Sequence, residues 1–252
     1  MYKNTNKDSW QKVSSWYSKI TTDDGHYYHR NLIIPKLLKF AGISDSSSIL
    51  DLGCGSGVLG RYINKDIKYV GVDLSHDLVN QAKKQDKSKS HQYIIGDAST
   101  IQISGSIFSH IFFILSLQNM QNYDKAILNA SSHLKTNGKI YIVLNHPAFR
   151  IPRQTSWEID PKNKLEYRRI NRYLSPLKIP INMNPGDRNQ KHTWSYHFSL
   201  SELSSILKKS NLLISEIQEW SSEKESIGKN AKMENRARSE FPLFMTIECL
   251  KI

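Results

Sequence analysis

The alternation of apolar and polar positions along this 252-residue chain predicts an α/β fold. Seven apolar runs, several rich in β-branched residues, are typical of strands and cover residues 48–52, 69–73, 92–97, 110–115, 139–144, 212–220 and 243–250. Amphipathic periodicity predicts helices over residues 13–20, 29–41, 75–82, 124–134 and 199–207. We expect Asn137 and Gly138 to end the fourth helix. Strands that alternate with helices pair in parallel, so the pattern indicates a mostly parallel, doubly wound sheet.

The turn after the first strand carries the most informative residues. Asp51 is followed by glycines at positions 53, 55 and 57. Glycines at alternate positions let the backbone turn sharply and lie close to a ligand where a Cβ would collide. A dinucleotide-binding fold is the nearest alternative, but its fingerprint needs a glycine at position 58, which is Val58 here.

Two further strands also end in an acid. Asp73 closes the second strand, where a doubly wound sheet delivers a carboxylate to the ribose hydroxyls of a bound nucleoside. Asp97 closes the third strand. Three acids that follow three successive strands predict a site for a nucleoside cofactor.

The glycine turn and the spacing of these acids resemble the motifs of class I methyltransferases, which bind S-adenosylmethionine (SAM), and the resemblance is strongest over residues 48–145. It implies a seven-stranded sheet, a glycine loop around the methionine end of SAM and an acid on the adenine amino group. It also implies a helical lid from the N-terminal helices. The expected cofactor contacts lie in the first helix, the glycine loop and the strand ends: Tyr17, Asp51, Gly53, Gly55, Gly57, Asp73, Leu74, Asp97, Ala98 and Leu115.

We expect one domain with four parts. Residues 1–44 form a helical cap, 45–145 the SAM-binding core, 146–198 an insertion after the fifth strand, and 199–252 the final helix and a C-terminal β-hairpin. The insertion holds six of the eight prolines and has ten Lys and Arg against four Asp and Glu. Its periodicity is poor, so we expect irregular structure, and its aromatic residues argue against disorder. We interpret it as a substrate-recognition element.

Composition narrows the setting. The chain has two cysteines, Cys54 and Cys249, and no disulfide framework or metal-ligand spacing, so we expect no metal. No apolar stretch approaches the roughly 20 residues needed to span a membrane, and the first ten residues contain no apolar signal region. Cytoplasm is the expected location. The formal net charge of +12 is compatible with RNA, with an acidic substrate or with a lysine-rich surface.

Histidines near the strand edge are the candidates for a general base, which methyl transfer to a protonated nucleophile requires. His146 comes directly after the fifth strand and is the preferred candidate, and His197 is the second. The expected substrate contacts lie in the lid, after the fourth strand and in the insertion: His29, Asn119, Arg150, Arg153, Trp157 and Tyr196. Guanidinium groups there suit a carboxylate or a phosphate.

Three functions stay open on the sequence. The first is SAM-dependent methyl transfer to a small acceptor, for which anionic and aromatic molecules are both candidates. The second is RNA methylation, since arginines interleaved with aromatics suit single-stranded bases. The third is a SAM-binding partner subunit without catalysis. A pattern around Asn145, Arg150 and Trp157 resembles uncharacterised bacterial methyltransferases, which implies no particular acceptor, and the oligomeric state is open.

Overall fold

The computed structural model describes residues 26–105, 107–182 and 192–252. The strands are β1 Ser48–Leu52, β2 Lys68–Asp73, β3 His91–Ile95, β4 Phe108–Ile114, β5 Leu134–Asn145, β6 Thr155–Asp160, β7 Leu165–Ile170, β8 Leu177–Asn182, β9 His192–His197, β10 Leu212–Trp220 and β11 Phe244–Lys251. The helices are α1 Ile34–Ala41, α2 His76–Gln85, α3 Tyr123–Ser132, α4 Leu200–Lys209 and α5 Ala231–Glu240. A π-helical turn, His29–Ile33, leads into α1. The predicted helix over residues 13–20 lies outside the described residues.

Seven strands form one sheet in the order β10-β11-β5-β4-β1-β2-β3. The strands β1 to β5 pair in parallel, and β11 is antiparallel to both β5 and β10. The predicted seven-stranded, mostly parallel sheet is therefore confirmed. This order brings the C-terminal ends of β1, β2, β3, β4 and β5 to one edge, where ligands bind in open α/β sheets.

Alternate residues of the central strands point to opposite faces, and both faces are buried. In β1, Leu50 packs into a cluster that includes Leu203 and Leu207 of α4. Its neighbour Ile49 packs on the other side with Leu37 of α1 and Val79 of α2. Burial on both faces explains why these strands appear in the sequence as short continuous apolar runs.

The helix ends agree with the sequence at two places and differ at a third. Ser75 caps α2 by accepting from Leu78 N at 3.4 Å, and Ser199 caps α4 by accepting from Glu202 N at 3.3 Å. The predicted end of the 124–134 helix at Asn137 and Gly138 is wrong. α3 stops at Ser132, and Asn137 lies within β5 with φ +61°. Asn137, which was expected to end the helix, therefore lies near the start of β5 in a left-handed conformation.

The described residues of the insertion are not irregular, contrary to the expectation from its periodicity. It contains two antiparallel hairpins, β6–β7 and β8–β9. In β6–β7, Trp157 lies opposite Arg168 and Glu158 lies opposite Tyr167, so apolar and charged residues share each face and blur the alternation. The turn is stabilised by Asp160, whose Oδ1 accepts from the N–H groups of Lys162 and Asn163 at 3.0 and 3.1 Å.

Candidate active site

The glycine loop after β1 is held against β2 by its backbone. The N–H of Gly53 donates to the carbonyl of Val72 at 2.8 Å. Gly53, Gly55 and Gly57 have φ of +78°, +55° and +74°, the left-handed region that glycine adopts without strain. A Cβ on Gly53 would also collide with the side chain of Ser116, which follows β4. The three predicted glycines therefore form one tight turn at the ligand-binding edge of the sheet.

Asp73, at the end of β2, holds this loop in place. Its Oδ2 accepts from Gly55 N at 2.9 Å, and its Oδ1 accepts from Ser75 N at 2.9 Å. Burial raises the pKa of this carboxyl, and the backbone N–H donors oppose the rise. A carboxylate oxygen can accept two hydrogen bonds. The partly exposed side chain of Asp73 therefore retains capacity for the hydroxyls of a ligand.

Asp51 is a buried acid with one unsatisfied oxygen. The side chain lies in the middle of the sheet and the residue is 2% exposed. Oδ2 accepts from the hydroxyl of Tyr69 at 2.7 Å, whereas Oδ1 has no hydrogen-bond partner in the described part of the chain. Burial raises the pKa of Asp51 to about 7, against the Tyr69 hydrogen bond, and the charge of Asp73 adds to the rise. A buried acceptor without a donor fits a cationic N–H group on a ligand.

The other predicted cofactor residues lie around the same edge. Asp97 is two residues past the end of β3, and its Oδ1 accepts from the N–H and the hydroxyl of Ser99 at 2.9 and 2.7 Å. Ala98 is buried and Leu74 is partly exposed. Leu115 has φ +52° directly after β4. Such strained non-glycine residues cluster at ligand sites.

His146 follows β5, as the sequence indicated, but both of its ring nitrogens are engaged. Nδ1 accepts from the N–H groups of Ala148 and Phe149 at 3.2 and 3.3 Å. Nε2 must then carry the proton, which it donates to Glu219 Oε1 at 2.7 Å. The residue is 3% exposed, and burial lowers the pKa of the imidazole, against the effect of Glu219. This geometry does not support the predicted role as general base, because neither ring nitrogen has a lone pair free to take a proton from a substrate.

A cleft that is open to solvent lies between the end of β5 and the strand β9. Its walls include Gln118, Asn145, Arg150, Tyr196 and His197. Gln118 Oε1 accepts from Asn145 N at 2.9 Å, which joins the turn after β4 to the end of β5. Gln118 is two residues past Ser116, which packs on the glycine loop, so the turn after β4 contacts both the loop and the cleft.

His197, the second predicted base, lines this cleft. Its Nε2 donates to the carbonyl of Tyr173 at 2.7 Å, which leaves Nδ1 as the proton-accepting atom. Burial lowers the pKa of His197, so the ring is neutral at pH 7. The structure therefore brings together three of the predicted residues, Arg150, Tyr196 and His197.

The remaining predicted contacts lie elsewhere. Arg153 is exposed, and Trp157 packs edge-to-face on Phe241, with ring centroids 5.4 Å apart. Asn119 donates to the carbonyl of Leu115 at 2.9 Å and so braces the strained turn after β4. Tyr17 lies outside the described residues.

His29 lies in the π-helical turn before α1. Its Nδ1 is buried without a partner among the described residues. Burial lowers its pKa to about 4, with a contribution from the charge of His26. His29 is therefore neutral at pH 7.

Three separate parts of the chain meet over this end of the sheet. The hydroxyl of Tyr28 lies 3.2 Å from that of Ser222, and its ring packs on Phe244 at 5.5 Å. From the insertion, Phe149 packs on Phe241 at 5.3 Å. These contacts bring together the N-terminal cap, the insertion and the segment after β10.

Sequence reasoning did not find Glu219, Gln118 or Ser116. Glu219 lies 73 residues from His146 and meets it only because β10 lies two strands from β5. Ser116 donates to the carbonyl of Leu52 at 2.6 Å and covers Gly53. No local pattern marks these residues, although the glycine at 53 implies a close neighbour.

The described ranges contain no group of three or more His, Cys, Asp or Glu residues arranged to hold a metal ion. Within the same ranges, no helix has the length and apolar character needed to cross a membrane.

A family model described as a methyltransferase domain matches residues 25–217. Among curated proteins, the chain is 30% identical over 117 residues to the 2-phytyl-1,4-naphtoquinone methyltransferase of Synechocystis, covering 43% of this chain and 49% of that protein. It is 28% identical over 108 residues to the (S)-coclaurine N-methyltransferase of Papaver somniferum, covering 40% of this chain and 30% of that protein. The chain thus matches about half or less of the length of these relatives.

Among solved structures, a Listeria monocytogenes protein assigned to the SAM-dependent methyltransferases aligns with a TM-score of 0.68 at 23% identity. The alignment covers 86% of this chain and 97% of that one. At this identity the similarity establishes the shared fold.

Proposed function

The chain belongs to the methyltransferase family, and from that premise we propose that it transfers the methyl group of SAM to a small-molecule acceptor. The observation that carries the proposal is the pairing of a glycine turn with a buried acid that has one unsatisfied oxygen. The curated relatives bear the names of a quinone and an alkaloid, which supports a small acceptor.

The residues at the sheet edge fit SAM. The unsatisfied Oδ1 of Asp51 suits the ammonium group of the methionine end, and the glycine turn leaves room for that end to approach the backbone. Asp73 is the proposed acceptor for the ribose hydroxyls, and Asp97 with Ala98 is proposed to meet the adenine. When bound, SAM supplies an electrophilic methyl group on a positively charged sulfur.

The protein's own task is then to place the acceptor in line with that methyl group and to exclude water. We assign the acceptor to the cleft beside the glycine loop, with the insertion as its outer wall. His146 has a positioning role, because its hydrogen bonds fix the turn that begins the insertion. His197 is the proposed base if the methyl acceptor must lose a proton, since its ring is neutral and Nδ1 carries no proton.

The proposed cytoplasmic location rests on the state of the two cysteines. Cys54 and Cys249 are both buried free thiols. Burial raises the pKa of each thiol, so neither is a reactive thiolate at pH 7. These features support the proposal of a reducing, cytoplasmic compartment.

The first test measures SAM binding by calorimetry. Asp73→Ala should weaken the affinity by about 1.5–3 kcal/mol, because hydrogen bonds to a charged group are lost and the glycine loop loses its anchor. Asp66→Ala, which removes an exposed acid in a turn, is the matched control and should leave the affinity unchanged. Equal affinity in both variants would refute the ribose assignment.

The second test follows methyl transfer. The protein is incubated with methyl-labelled SAM and a cell extract, with and without ribonuclease. The proposal expects label in low-mass products whether or not ribonuclease is present. Label that appears in RNA and becomes small only after ribonuclease treatment would instead establish the RNA-modifying function.

A further inference from the structure

Two arginines near the cleft form no ion pair with any of the described residues. Arg150 lines the cleft, and among the described residues its guanidinium makes one hydrogen bond, a long one from Nη1 to the carbonyl of Leu243 at 3.4 Å. Arg168 donates to the carbonyl of Phe149 at 2.7 Å and to Thr155 Oγ1 at 3.0 Å. Ion pairs form elsewhere in the described residues, for example at Arg169, but no carboxylate oxygen lies within 4.0 Å of either of these guanidinium groups.

Aromatic rings take the place of counter-ions. The guanidinium carbon of Arg150 lies 5.0 Å from the ring centre of Phe244, and that of Arg168 lies 4.9 Å from the ring centre of Trp157. Such contacts hold a cation in position without neutralising its charge. Burial lowers the pKa of Arg150, the charge of Arg168 adds to the effect, and the nearby hydroxyl of Tyr28 opposes it. Arg150 is partly exposed on the wall of the cleft and has no carboxylate partner among the described residues, so its charge is available to an anionic ligand.

The positive charge extends to the N-terminal side of the cleft. Burial lowers the pKa of His26, and the charges of Lys224 and Arg150 lower it further. Lys224 itself lies over the rings of Tyr27 and Tyr28, at 4.2 and 5.2 Å. The positive charges of Arg150 and Lys224 therefore both act on the region around His26.

We propose that Arg150 binds a carboxylate of the methyl acceptor, so that the substrates are small carboxylic acids. The inference rests on the proposed function, since it assigns the acceptor to the same cleft. The planar fork of a guanidinium matches the two oxygens of a carboxylate. A phosphate dianion fits less well, because Arg150 is the one cation among the described lining residues and Leu144, Pro147, Ile151 and Pro152 form an apolar wall around it.

The test compares two probes that share a ring, benzoate and benzamide, by ligand-detected NMR titration of the protein. Wild type should bind benzoate at least tenfold more tightly than benzamide. Arg150→Met should remove this preference, and Arg150→Lys should keep part of it, because lysine retains the charge without the fork. Arg169→Met is the matched control, since it removes the same charge from an exposed, paired arginine in the neighbouring hairpin, and it should keep the full preference.

Equal affinity of wild type for both probes would overturn the proposal, as would equal losses in the Arg150 and Arg169 variants. SAM affinity, measured by calorimetry in each variant, should change by less than about twofold and reports that the fold is intact. If Arg150→Met does not fold, the proposal is tested by Arg150→Lys, whose preference for benzoate over benzamide should be smaller than that of wild type. Failure of this inference leaves label transfer from SAM in place, whereas failure of the proposed function removes label transfer and leaves the benzoate preference.

Discussion

The half of the site formed by β1, β2 and β3 differs from the half formed by β5, β10 and β11 in what holds its polar groups. In the first half, backbone geometry does so: the loop carbonyls and N–H groups fix Gly53 and Asp73 within a short stretch of chain. In the second half, side chains from distant segments fix one another, as His146 and Glu219 do. The first half is therefore held by contacts within a short stretch of chain, whereas the second depends on contacts between distant segments.

The largest expected effect tests the backbone half. Gly53→Ala should lower the free energy of unfolding by about 2–4 kcal/mol, because the added Cβ meets Ser116 and the backbone stays at positive φ. Gly42→Ala is the control, since its φ is +60° and nothing lies within 4 Å of the added carbon. Urea unfolding of both variants separates the collision from the backbone strain.

If the collision with Ser116 causes the loss, Ser116→Gly in the Gly53→Ala background should restore part of the stability. Equal losses in the Gly53 and Gly42 variants would show that only the conformation matters. SAM affinity should fall in the Gly53 variant and persist in the Gly42 variant.

The second prediction concerns pH, to which Asp51 in the backbone half and His29 in the N-terminal cap respond in opposite directions. The pKa of Asp51 is raised from 3.8 to about 7 on folding, so the folded state keeps a proton that the unfolded chain loses between these values. Its contribution to stability therefore falls as pH rises from 3.8 to 7. The pKa of His29 is lowered from 6.5 to about 4, so its contribution rises with pH across that range. Each slope is about 1.4 kcal/mol per pH unit.

Chemical unfolding between pH 4 and pH 7 checks both slopes. Relative to wild type, Asp51→Asn should gain stability as pH rises, and His29→Asn should lose it. If the stabilities of the two variants changed with pH in the same direction relative to wild type, the predicted opposite effects of Asp51 and His29 would be wrong. Binding of SAM near pH 7 should also release a proton through Asp51, which calorimetry detects in buffers of different ionisation enthalpy.

The smallest expected effect tests the side-chain half. Glu219→Ala should cost about 1 kcal/mol, because the Nε2–H of His146 loses its partner while water can reach the exposed position of the carboxylate. Glu219→Gln keeps an acceptor and should cost less than about 0.5 kcal/mol. Glu216→Ala, on the exposed part of the same strand, is the control.

His146→Asn then separates positioning from proton transfer. The Asn oxygen can accept from the two N–H groups of the turn, so the rate of methyl transfer should stay within about threefold of wild type. A fall of ~10²-fold or more would restore His146 as the base. His197→Asn should give the larger fall if the acceptor loses a proton.

The sequence was sufficient for the backbone half because its signals are local. Apolar runs, a glycine turn and acids at the strand ends all lie within a few residues of the structure they specify. The side-chain half could not be predicted in the same way. Glu219 reaches His146 only through the register that places Phe244 opposite Asn145 and Met245 opposite Glu219. The hairpins of the insertion were missed because mixed faces hide a period of two, although Asp160 and Pro161 marked a turn.

The position of β11 has a consequence for the growing chain. The strands β1 to β5 find all their mutual partners within residues 48–145, so during synthesis these five strands can assemble before residues 212–251 exist. Until β11 emerges, one edge of β5 remains unpaired, and that edge carries the backbone of Ile140, Ile142 and Leu144. A ribosome that stalls in the segment after β10 would expose an apolar strand ready to pair with another chain. By pairing with β5, the strand β11 therefore also covers an edge that would otherwise be open to aggregation.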